Sequence, residues 1–134
     1  VRDHCLCLAA QRAARNLARR FDRALRPVGI SSGQFSLLMS LNRPDPPSVG
    51  AVAALLVMDR TTLTANPKPL ERRGLIRISV DPADRRGRLL ALTDTGHALL
   101  HQALPIWKQT HGDIDRQLNI RGLSMVRNGL RLLG

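Results

Sequence analysis

Aromatic residues are nearly missing from this chain of 134 residues, which contains no tyrosine, two phenylalanines and one tryptophan. Proteins that bind single-stranded nucleic acid stack the bases on aromatic side chains. The composition therefore disfavours a single-strand binder. If nucleic acid is the partner, the composition favours a duplex.

Cysteine and long apolar runs are scarce as well. Cys5 and Cys7 lie two positions apart and are the only cysteines, so no disulfide framework is expected. The apolar stretch around residues 5–10 is much shorter than the roughly 20 residues of a membrane-spanning helix, and it runs into arginines. No cleavable signal is recognisable, so we expect a cytoplasmic protein without a membrane partner.

Acidic residues are few, because 10 Asp and Glu face 21 Lys and Arg and the formal net charge is +11. Such an excess attracts polyanions: nucleic acid, an acidic membrane surface or an acidic protein. Most of the cations are arginine, which can bind phosphates and base edges through two N–H groups at once. With 43% hydrophobic residues the chain can bury a core, and its length fits one domain.

Periodic apolar residues predict a first helix from about His4 to Leu25, ended by Pro27 and Gly29. The apolar stripe consists of Leu6, Ala10, Ala13, Leu17, Phe21 and Leu25. A basic stripe lies beside it and consists of Arg12, Arg15, Arg19, Arg23 and Arg26. Such a stripe is typically a solvated face, and it could also contact DNA phosphates or an acidic partner.

Two serines are predicted to begin the next helices. Ser31 and Gln34 have the spacing of a capping box, and Phe35, Leu38 and Leu41 follow as a buried face. A loop with three prolines occupies Asn42 to Pro47. Ser48 then caps a third helix that carries Val49, Val52 and Leu56.

A further helix is predicted from about Arg60 to Arg73, after a short turn at Val57 to Asp59 and before a stop at Gly74. Pro67 and Pro69 lie inside it, and each removes an amide donor. We therefore expect this helix to bend or loosen near the prolines.

A hairpin and long helices complete the predicted order. A strand is expected from Leu75 to Val80, a turn from Asp81 to Arg88 and a returning strand from Arg88 to Leu92. Thr93 or Asp94 caps the long last helix. This helix is expected to be interrupted near Pro105 and Gly112, with Leu123, Val126, Leu130 and Leu133 on a final segment.

This order predicts a mainly α fold with a small β-hairpin, a winged helix-turn-helix that binds double-stranded DNA. The second helix of such a motif enters the major groove with its first turns at the base edges. The predicted contacts there are Arg60, Thr61, Thr62, Thr64 and Asn66. Phosphate contacts are predicted from Lys68, Arg72 and Arg73, and Ser48 is a further predicted DNA-binding residue. The hairpin tip offers Arg85, Arg86 and Arg88 to the minor groove.

Four segments of the chain resemble the MarR family of bacterial transcriptional regulators. They are CLCLAAQRAAR from Cys5, ISSGQFSLLMSL from Ile30, DRTTLTANPKPLERRGLI from Asp59 and DPADRRGRLLALTDTG from Asp81. The resemblance implies a homodimer joined through about residues 1–30 and 94–134, with a DNA-binding lobe at about 31–93. It further implies binding to a pseudo-palindromic operator, usually as a repressor. By the same resemblance Arg86 is the wing-tip arginine, and Asp84 is positioned to orient it. Pro67 departs from the family pattern, which favours a helix-compatible residue such as leucine.

The signal that releases DNA has two candidates. One is a small effector in a pocket near Phe21 and Trp107. The other is oxidation of Cys7 or Cys5, because Cys7 falls where the peroxide-sensing branch of the family carries its reactive cysteine. That branch holds its cysteine with tyrosine hydroxyls, whereas here Phe21 and Phe35 occupy the expected neighbourhood. The cysteines could equally be small apolar residues of a dimerisation helix.

Enzymatic and metal functions are disfavoured by the same sequence. Gly29 to Gly33 matches G-x-S-x-G, but a hydrolase needs a strand before this motif, and Ser31 already serves as a cap. His97 and His101 have metal-ligand spacing without a nearby carboxylate or cysteine in the sequence. We therefore expect no enzyme, metal or cofactor. The alternative from another functional class is a basic architectural protein that binds DNA without sequence specificity.

Overall fold

A computed structural model describes residues 4–58 and 67–134. Its elements, in chain order, are α1 (Leu6–Leu25), a 3-10 helix (Arg26–Val28), α2 (Ser32–Ser40), α3 (Val49–Leu56), α4 (Pro67–Arg72), β1 (Ile76–Asp81), β2 (Asp84–Leu92) and α5 (Asp94–Leu133). The two strands form one antiparallel sheet. The predicted mainly helical class with a small hairpin is therefore confirmed.

Side chains that bind backbone N–H groups begin the helices, as predicted. Ser31 Oγ accepts from the Gln34 N–H at 3.1 Å, and Gln34 Oε1 accepts from the Ser31 N–H at 3.0 Å. Ser48 Oγ accepts from the Ala51 N–H at 3.1 Å. These bonds satisfy donors that the first turn of a helix leaves without a partner. The chain turns between α1 and α2 at Gly29, whose φ of 73° suits glycine.

The core joins the helical part to the hairpin. Five elements each contribute a large apolar side chain with 0% exposure: Leu25 of α1, Leu38 of α2, Val52 of α3, Leu70 of α4 and Leu90 of β2. Burial of each stabilises the fold by roughly 1.5–3 kcal/mol. The hairpin is therefore held against the helices by the same core that holds the helices together.

Helix α4 keeps a helical backbone through both of its prolines. Pro67 is buried, and the Pro69 carbonyl accepts from the Arg73 N–H at 3.2 Å. The backbone is helical from Pro67 to Arg72, because the φ of proline suits a helix. The predicted bend concerns the whole helix from Arg60, so it stays a prediction. The predicted part of this helix from Arg60 to Asn66 lies outside the described residues.

The predicted stop of α4 at Gly74 is confirmed. Gly74 has a φ of 71°, and its N–H donates to the Glu71 carbonyl at 2.9 Å. The Leu75 N–H reaches back to the Leu70 carbonyl at 3.0 Å. These bonds satisfy the last carbonyls of the helix and direct the chain into β1.

The hairpin turn is shorter than the predicted Asp81 to Arg88, because β2 begins at Asp84 and two residues separate the strands. Pairing runs from Ile76 opposite Leu92 to Val80 opposite Arg88, and the next pair is Asp81 opposite Asp84. Three residues of β2 therefore bulge out of the pairing: Arg85, Arg86 and Gly87. The prediction of a long turn was wrong because a bulge lets the extra residues stay within a paired strand.

Helix α5 is also different from its prediction. It begins at Thr93, whose Oγ1 accepts from the Gly96 N–H at 3.1 Å, and it continues through Pro105 and Gly112. The break lies instead at Asn119, with φ 56° and ψ 172°, and Asn119 Oδ1 accepts from the Gly122 N–H at 3.0 Å to begin a new helical segment. Because Pro105 has no N–H, the carbonyl of His101 lacks its helical donor. His101 is exposed, so water can donate to this carbonyl instead.

The beginning of α5 packs directly on the base of the hairpin. Thr93 donates from its N–H to the Leu75 carbonyl at 3.1 Å and from Oγ1 to the Gly74 carbonyl at 2.5 Å. A Cβ at Gly96 would lie 2.0 Å from the Leu75 oxygen, so only glycine fits this approach. In the described parts of the chain, every helix is too short or too polar to cross a bilayer.

Candidate nucleic-acid interface

A groove of about 690 Å³ opens between the start of α3, helix α4 and the hairpin. Five of the predicted DNA-binding residues line it: Ser48, Lys68, Asp84, Arg86 and Arg88. Glu71 and Asp81 also line it, and the sequence analysis did not predict them as site residues. The groove thus brings together residues that are up to 40 positions apart in the sequence.

The start of α3 is fixed directly to the hairpin. Ser48 forms an isolated antiparallel bridge with Leu89, and the Leu90 N–H donates to the Pro47 carbonyl at 3.0 Å. Strand β2 therefore sets the position of the start of α3, where Ser48, Val49 and Gly50 line the groove. A helix start of this kind is suited to a phosphate.

Backbone contacts shape the tip of the hairpin. Asp84 Oδ1 accepts from the Arg86 N–H at 3.0 Å, and Asp81 Oδ1 accepts from the Ala83 N–H at 2.9 Å. The carboxylate of Asp84 therefore orients Arg86 through its backbone, which leaves the exposed guanidinium able to reach outward. A Cβ at Gly87 would lie 3.3 Å from the Asp84 carbonyl, so the bulge also favours glycine.

Two other predicted arginines bind carbonyls of the protein. Arg88 Nη1 donates to the carbonyls of Arg85 at 3.2 Å and Gly87 at 3.1 Å, which braces the bulge. Arg73 Nη1 donates to the Gly29 carbonyl at 2.7 Å and joins the end of α4 to the loop before α2. Each guanidinium keeps further N–H groups for a phosphate. Arg85, Lys68 and Arg72 are exposed.

The predicted base contacts lie outside the described residues. They are Arg60, Thr61, Thr62, Thr64 and Asn66. The described residues on either side are Met58 and Pro67, and Pro67 lines the groove. These five assignments stay predictions.

The sequence and the fold of this chain are similar to those of known transcriptional regulators. The MarR family model matches residues 30–87. The transcriptional regulator MosR of M. tuberculosis, solved in complex with DNA, is 33% identical with a TM-score of 0.87, covering 97% of this chain and 93% of MosR. The chain belongs to the MarR family.

Two further MarR-like proteins are similar over different lengths. The transcriptional repressor NicR of Pseudomonas putida is 32% identical over 80 residues, which are 60% of this chain and 51% of NicR. The chain thus spans about half the length of the curated relatives it matches. The repressor CouR bound to a 23-mer DNA duplex is 28% identical with a TM-score of 0.87, covering 98% of this chain and 93% of CouR. CouR from Rhodococcus jostii RHA1 has also been solved with p-coumaroyl-CoA.

A second candidate site in this MarR-family chain is a row of four rings. Phe35 stacks on Trp107 with ring centroids 6.0 Å apart, His111 lies 4.3 Å from Trp107, and Phe21 lies 5.2 Å from His111. A cavity of about 290 Å³ opens beside the Phe35 end, lined by Phe35, Ser36, Met39, Leu104 and Trp107. Trp107 thus lines a cavity, whereas Phe21 stands at the other end of the row. His111, which the sequence offered only as an additional metal-ligand candidate, was not predicted to lie beside Trp107, although its helical spacing from Trp107 places both on one face.

The cysteines lie at the start of α1, and both are exposed. Cys5 caps the helix, with its Sγ accepting from the Leu8 N–H at 3.5 Å, and Cys7 Sγ accepts from Gln11 Nε2 at 3.4 Å. Phe21 and Phe35, expected beside Cys7, belong instead to the row of rings on Trp107 and His111.

The remaining polar motifs have structural positions. Ser31 follows a 3-10 helix rather than a strand, so its surroundings differ from those of a hydrolase nucleophile. His97 and His101 are exposed on α5. Within residues 4–58 and 67–134 there is no group of three or more His, Cys, Asp or Glu arranged to hold a metal ion.

Proposed function

We propose that this chain is a sequence-specific, double-stranded DNA-binding transcriptional regulator, and that it acts as a repressor. The observation that carries the proposal is the groove, where the start of α3, Lys68 of α4 and Arg86 of the hairpin face one space. The predicted base-contacting turn, residues 59–66, lies immediately before Pro67 in the chain. MosR and CouR, which share this fold, have been solved with DNA.

In this proposal each part of the interface has its own role. Residues 59–66 contact base edges in the major groove. Arg86 and Arg85 at the tip enter the adjacent minor groove, where a narrow groove concentrates negative potential. The capped start of α3 and Lys68 hold phosphates and fix the register, because backbone contacts position a protein on DNA without specifying sequence.

The active unit of this proposal is a homodimer formed by about residues 1–30 and 94–134. The last segment of α5 exposes large apolar side chains in the single chain: Ile120 at 86%, Met125 at 75%, Leu130 at 56%, Leu132 at 88% and Leu133 at 66%. A monomeric protein rarely exposes so many apolar side chains to water, so we propose that a second copy of the chain buries them in the dimer interface. Two lobes then bind half-sites about 34–36 Å apart, one helical turn of DNA. The protein acts by binding alone, without catalysis, and in the cytoplasm where bacterial operators lie.

Selection from random duplexes tests sequence specificity. We expect the full chain to enrich one pseudo-palindrome, and to bind it at least 1,000-fold more tightly than a scrambled duplex at the same salt, since specific binding typically exceeds non-specific binding by about 10³ or more. Equal affinity for both duplexes would refute the proposal and leave the non-specific architectural alternative.

For the releasing signal, we propose an aromatic effector at the cavity beside Phe35 and Trp107. At about 290 Å³ the cavity is just below the usual volume of ligand sites, about 300–1,000 Å³, and two aromatic residues, Phe35 and Trp107, line it. That CouR has been solved with p-coumaroyl-CoA supports an aromatic ligand in a protein of this fold. Trp107 is the only tryptophan, so its fluorescence reports binding directly.

The titration uses p-coumaroyl-CoA and simple aromatic acids, with Phe35→Leu as the variant and Phe21→Leu as the matched control at the other end of the row. We expect saturable quenching that Phe35→Leu weakens and Phe21→Leu preserves, together with release of DNA. If Phe35→Leu and Phe21→Leu show the same quenching, the ligand does not bind at the cavity beside Phe35.

The thiol mechanism is the second candidate, favoured by the exposure of Cys5 and Cys7. A sensing thiol needs access for the oxidant, and both have it. If peroxide releases DNA from the parent chain and not from Cys5→Ser or Cys7→Ser, the thiol mechanism holds. Release that survives both substitutions eliminates it.

A further inference from the structure

Five arginines on α1 and its extension form a surface that the proposed DNA groove does not use. We call Arg12, Arg15, Arg19, Arg23 and Arg26 the arginine stripe, and all five are exposed. At about 100° and 1.5 Å per residue, they fall within an arc of about 80° and extend along about 21 Å. Every position in that arc between 12 and 26 is an arginine.

The arginine stripe faces away from both packed sides of α1. The apolar stripe that includes Leu6, Leu17 and Leu25 is centred about 180° from it by the same helical geometry. Leu25 is in the core, whereas Leu6 and Leu17 are exposed at 64% and 41% and belong to the face proposed for dimerisation. Neither the core nor the second copy of the proposed dimer therefore covers the arginines.

Carboxylates of the described residues do not balance this charge. Asp22, on the same helix, accepts from the Ser32 N–H at 2.6 Å. The ion pairs found in residues 4–58 and 67–134 are Arg116 with Asp113 and Arg127 with Asp115, all on α5. The arginine stripe thus carries a concentrated positive field into solvent.

The arginine stripe continues the basic surface of α4. Arg73 Nη1 binds the Gly29 carbonyl at 2.7 Å, and the Gly29 N–H donates to the Arg26 carbonyl at 2.9 Å. The loop at Gly29 therefore joins the end of α4 to one end of the arginine stripe. Arg72, also exposed, precedes this junction.

We propose that the arginine stripe is a second phosphate-binding surface, which holds duplex DNA flanking the operator. A protein partner is expected to find apolar anchors at the centre of its interface, and the arc contains none. Arginines at steps of three and four residues are about 4.5–6 Å apart along the helix axis, so several can contact the closely spaced charges of a DNA backbone at once. The inference rests on the proposed DNA binding and extends it from the operator core to its flanks.

The test compares two duplexes with the same operator core, one of core length and one extended on both sides by random sequence. The variant carries Arg15→Gln, Arg19→Gln and Arg23→Gln. The control carries Arg77→Gln, Lys108→Gln and Arg116→Gln, which removes three exposed positive charges elsewhere. Circular dichroism and melting check that all three proteins are folded alike.

For the parent chain we expect the long duplex to bind more tightly than the short one, with a steeper salt dependence. The three arginines removed in the stripe variant account for a slope of about 2.7, so across a fourfold rise in salt they contribute about a 40-fold change in the long-duplex advantage per subunit. The stripe variant should lose this part of the advantage and of its salt dependence and keep its short-duplex affinity, and the control should keep both.

Three outcomes would overturn the inference. They are an unchanged long-duplex advantage in the stripe variant, an equal loss on both duplexes, and an equal loss in the control. A stripe variant that keeps the long-duplex advantage but loses binding to immobilised polyglutamate assigns the surface to an acidic protein instead. If the parent chain fails to prefer its selected operator over a scrambled duplex, the proposed function fails separately, whatever the stripe does.

Discussion

Replacement of Gly96 by alanine tests the junction between α5 and the hairpin. The added Cβ would lie 2.0 Å from the Leu75 oxygen and 3.1 Å from Leu92 Cδ2, so backbone must move. That carbonyl also accepts the Thr93 N–H, and the bond would be strained or lost. The substitution therefore disturbs the point where the wing meets the proposed dimerisation helix.

The expected cost follows from three contributions. Overpacking costs about 1–3 kcal/mol. A buried backbone bond left unmade costs about 1–3 kcal/mol. Alanine returns about 1 kcal/mol through its higher helix propensity. The net loss in free energy of unfolding is therefore about 3 kcal/mol, which lowers the Tm by about 10 °C for a domain of this size.

Thermal and urea unfolding followed by circular dichroism, at one fixed protein concentration, measure the loss. Gly33→Ala is the matched control, because the nearest atom to its added Cβ is Ser31 Oγ at 3.9 Å and it also lies in the first turn of a helix. The control should melt at or slightly above the parent temperature. If Gly96→Ala melts within 2 °C of Gly33→Ala, a small shift absorbs the methyl group and the reasoning about this junction is refuted.

Three further predictions concern the wing, the helix cap and the dimer. Arg86→Ala should weaken operator binding about tenfold and lower the salt slope by about 0.9, because one protein cation no longer contacts a phosphate. Arg77→Ala on β1 should change neither the affinity nor the slope. Both are measured by anisotropy titrations at several salt concentrations, and an unchanged slope for Arg86→Ala would show that the wing tip does not contact DNA. Ser48→Ala should cost about 1 kcal/mol in urea unfolding through the lost cap, and a loss as large as that of Gly96→Ala would mean that Ser48 holds more than its cap. Leu130→Glu with Leu133→Glu should shift the mass by light scattering from dimer to monomer, with Lys108→Glu as a charge control; a variant that stays dimeric would move the interface away from the end of α5.

Local chemistry explains which features could be predicted. Ser31, Ser48 and Thr93 were identified as helix starts because each cap binds an N–H group only three residues away. Gly74 was identified as a stop because the residue after a helix needs a positive φ. Such bonds connect neighbours in the chain, so the residue types and their spacing are sufficient evidence.

Long-range contacts explain what could not be predicted. Arg73 was assigned to phosphate alone, yet it binds the carbonyl of Gly29, 44 residues away in the chain. The wing was expected to have a long turn, but pairing with β1 extends β2 back to Asp84. The break in α5 was expected near Pro105 and Gly112, and the backbone turns at Asn119 instead. Arg73 and β2 differ from their predictions through partners on other elements, whereas Asn119 Oδ1 accepts locally from the Gly122 N–H, and the described residues give no distant contact that explains its break.

The scarcity of aromatic residues shows the same division. The sequence alone determined that this basic chain lacks stacking platforms for single strands, and its pattern and resemblance indicated a winged helix-turn-helix of the MarR family. Only the tertiary structure decided where the few rings go, joining Phe35, Trp107, His111 and Phe21 from three helices into one row. Likewise it brought Ser48, Lys68 and Arg86 to one groove. The physical reason is that composition depends on residue types alone and a helix cap on neighbours within one turn. A row of packed rings or a groove, in contrast, forms only when elements distant in the sequence pack on a common core.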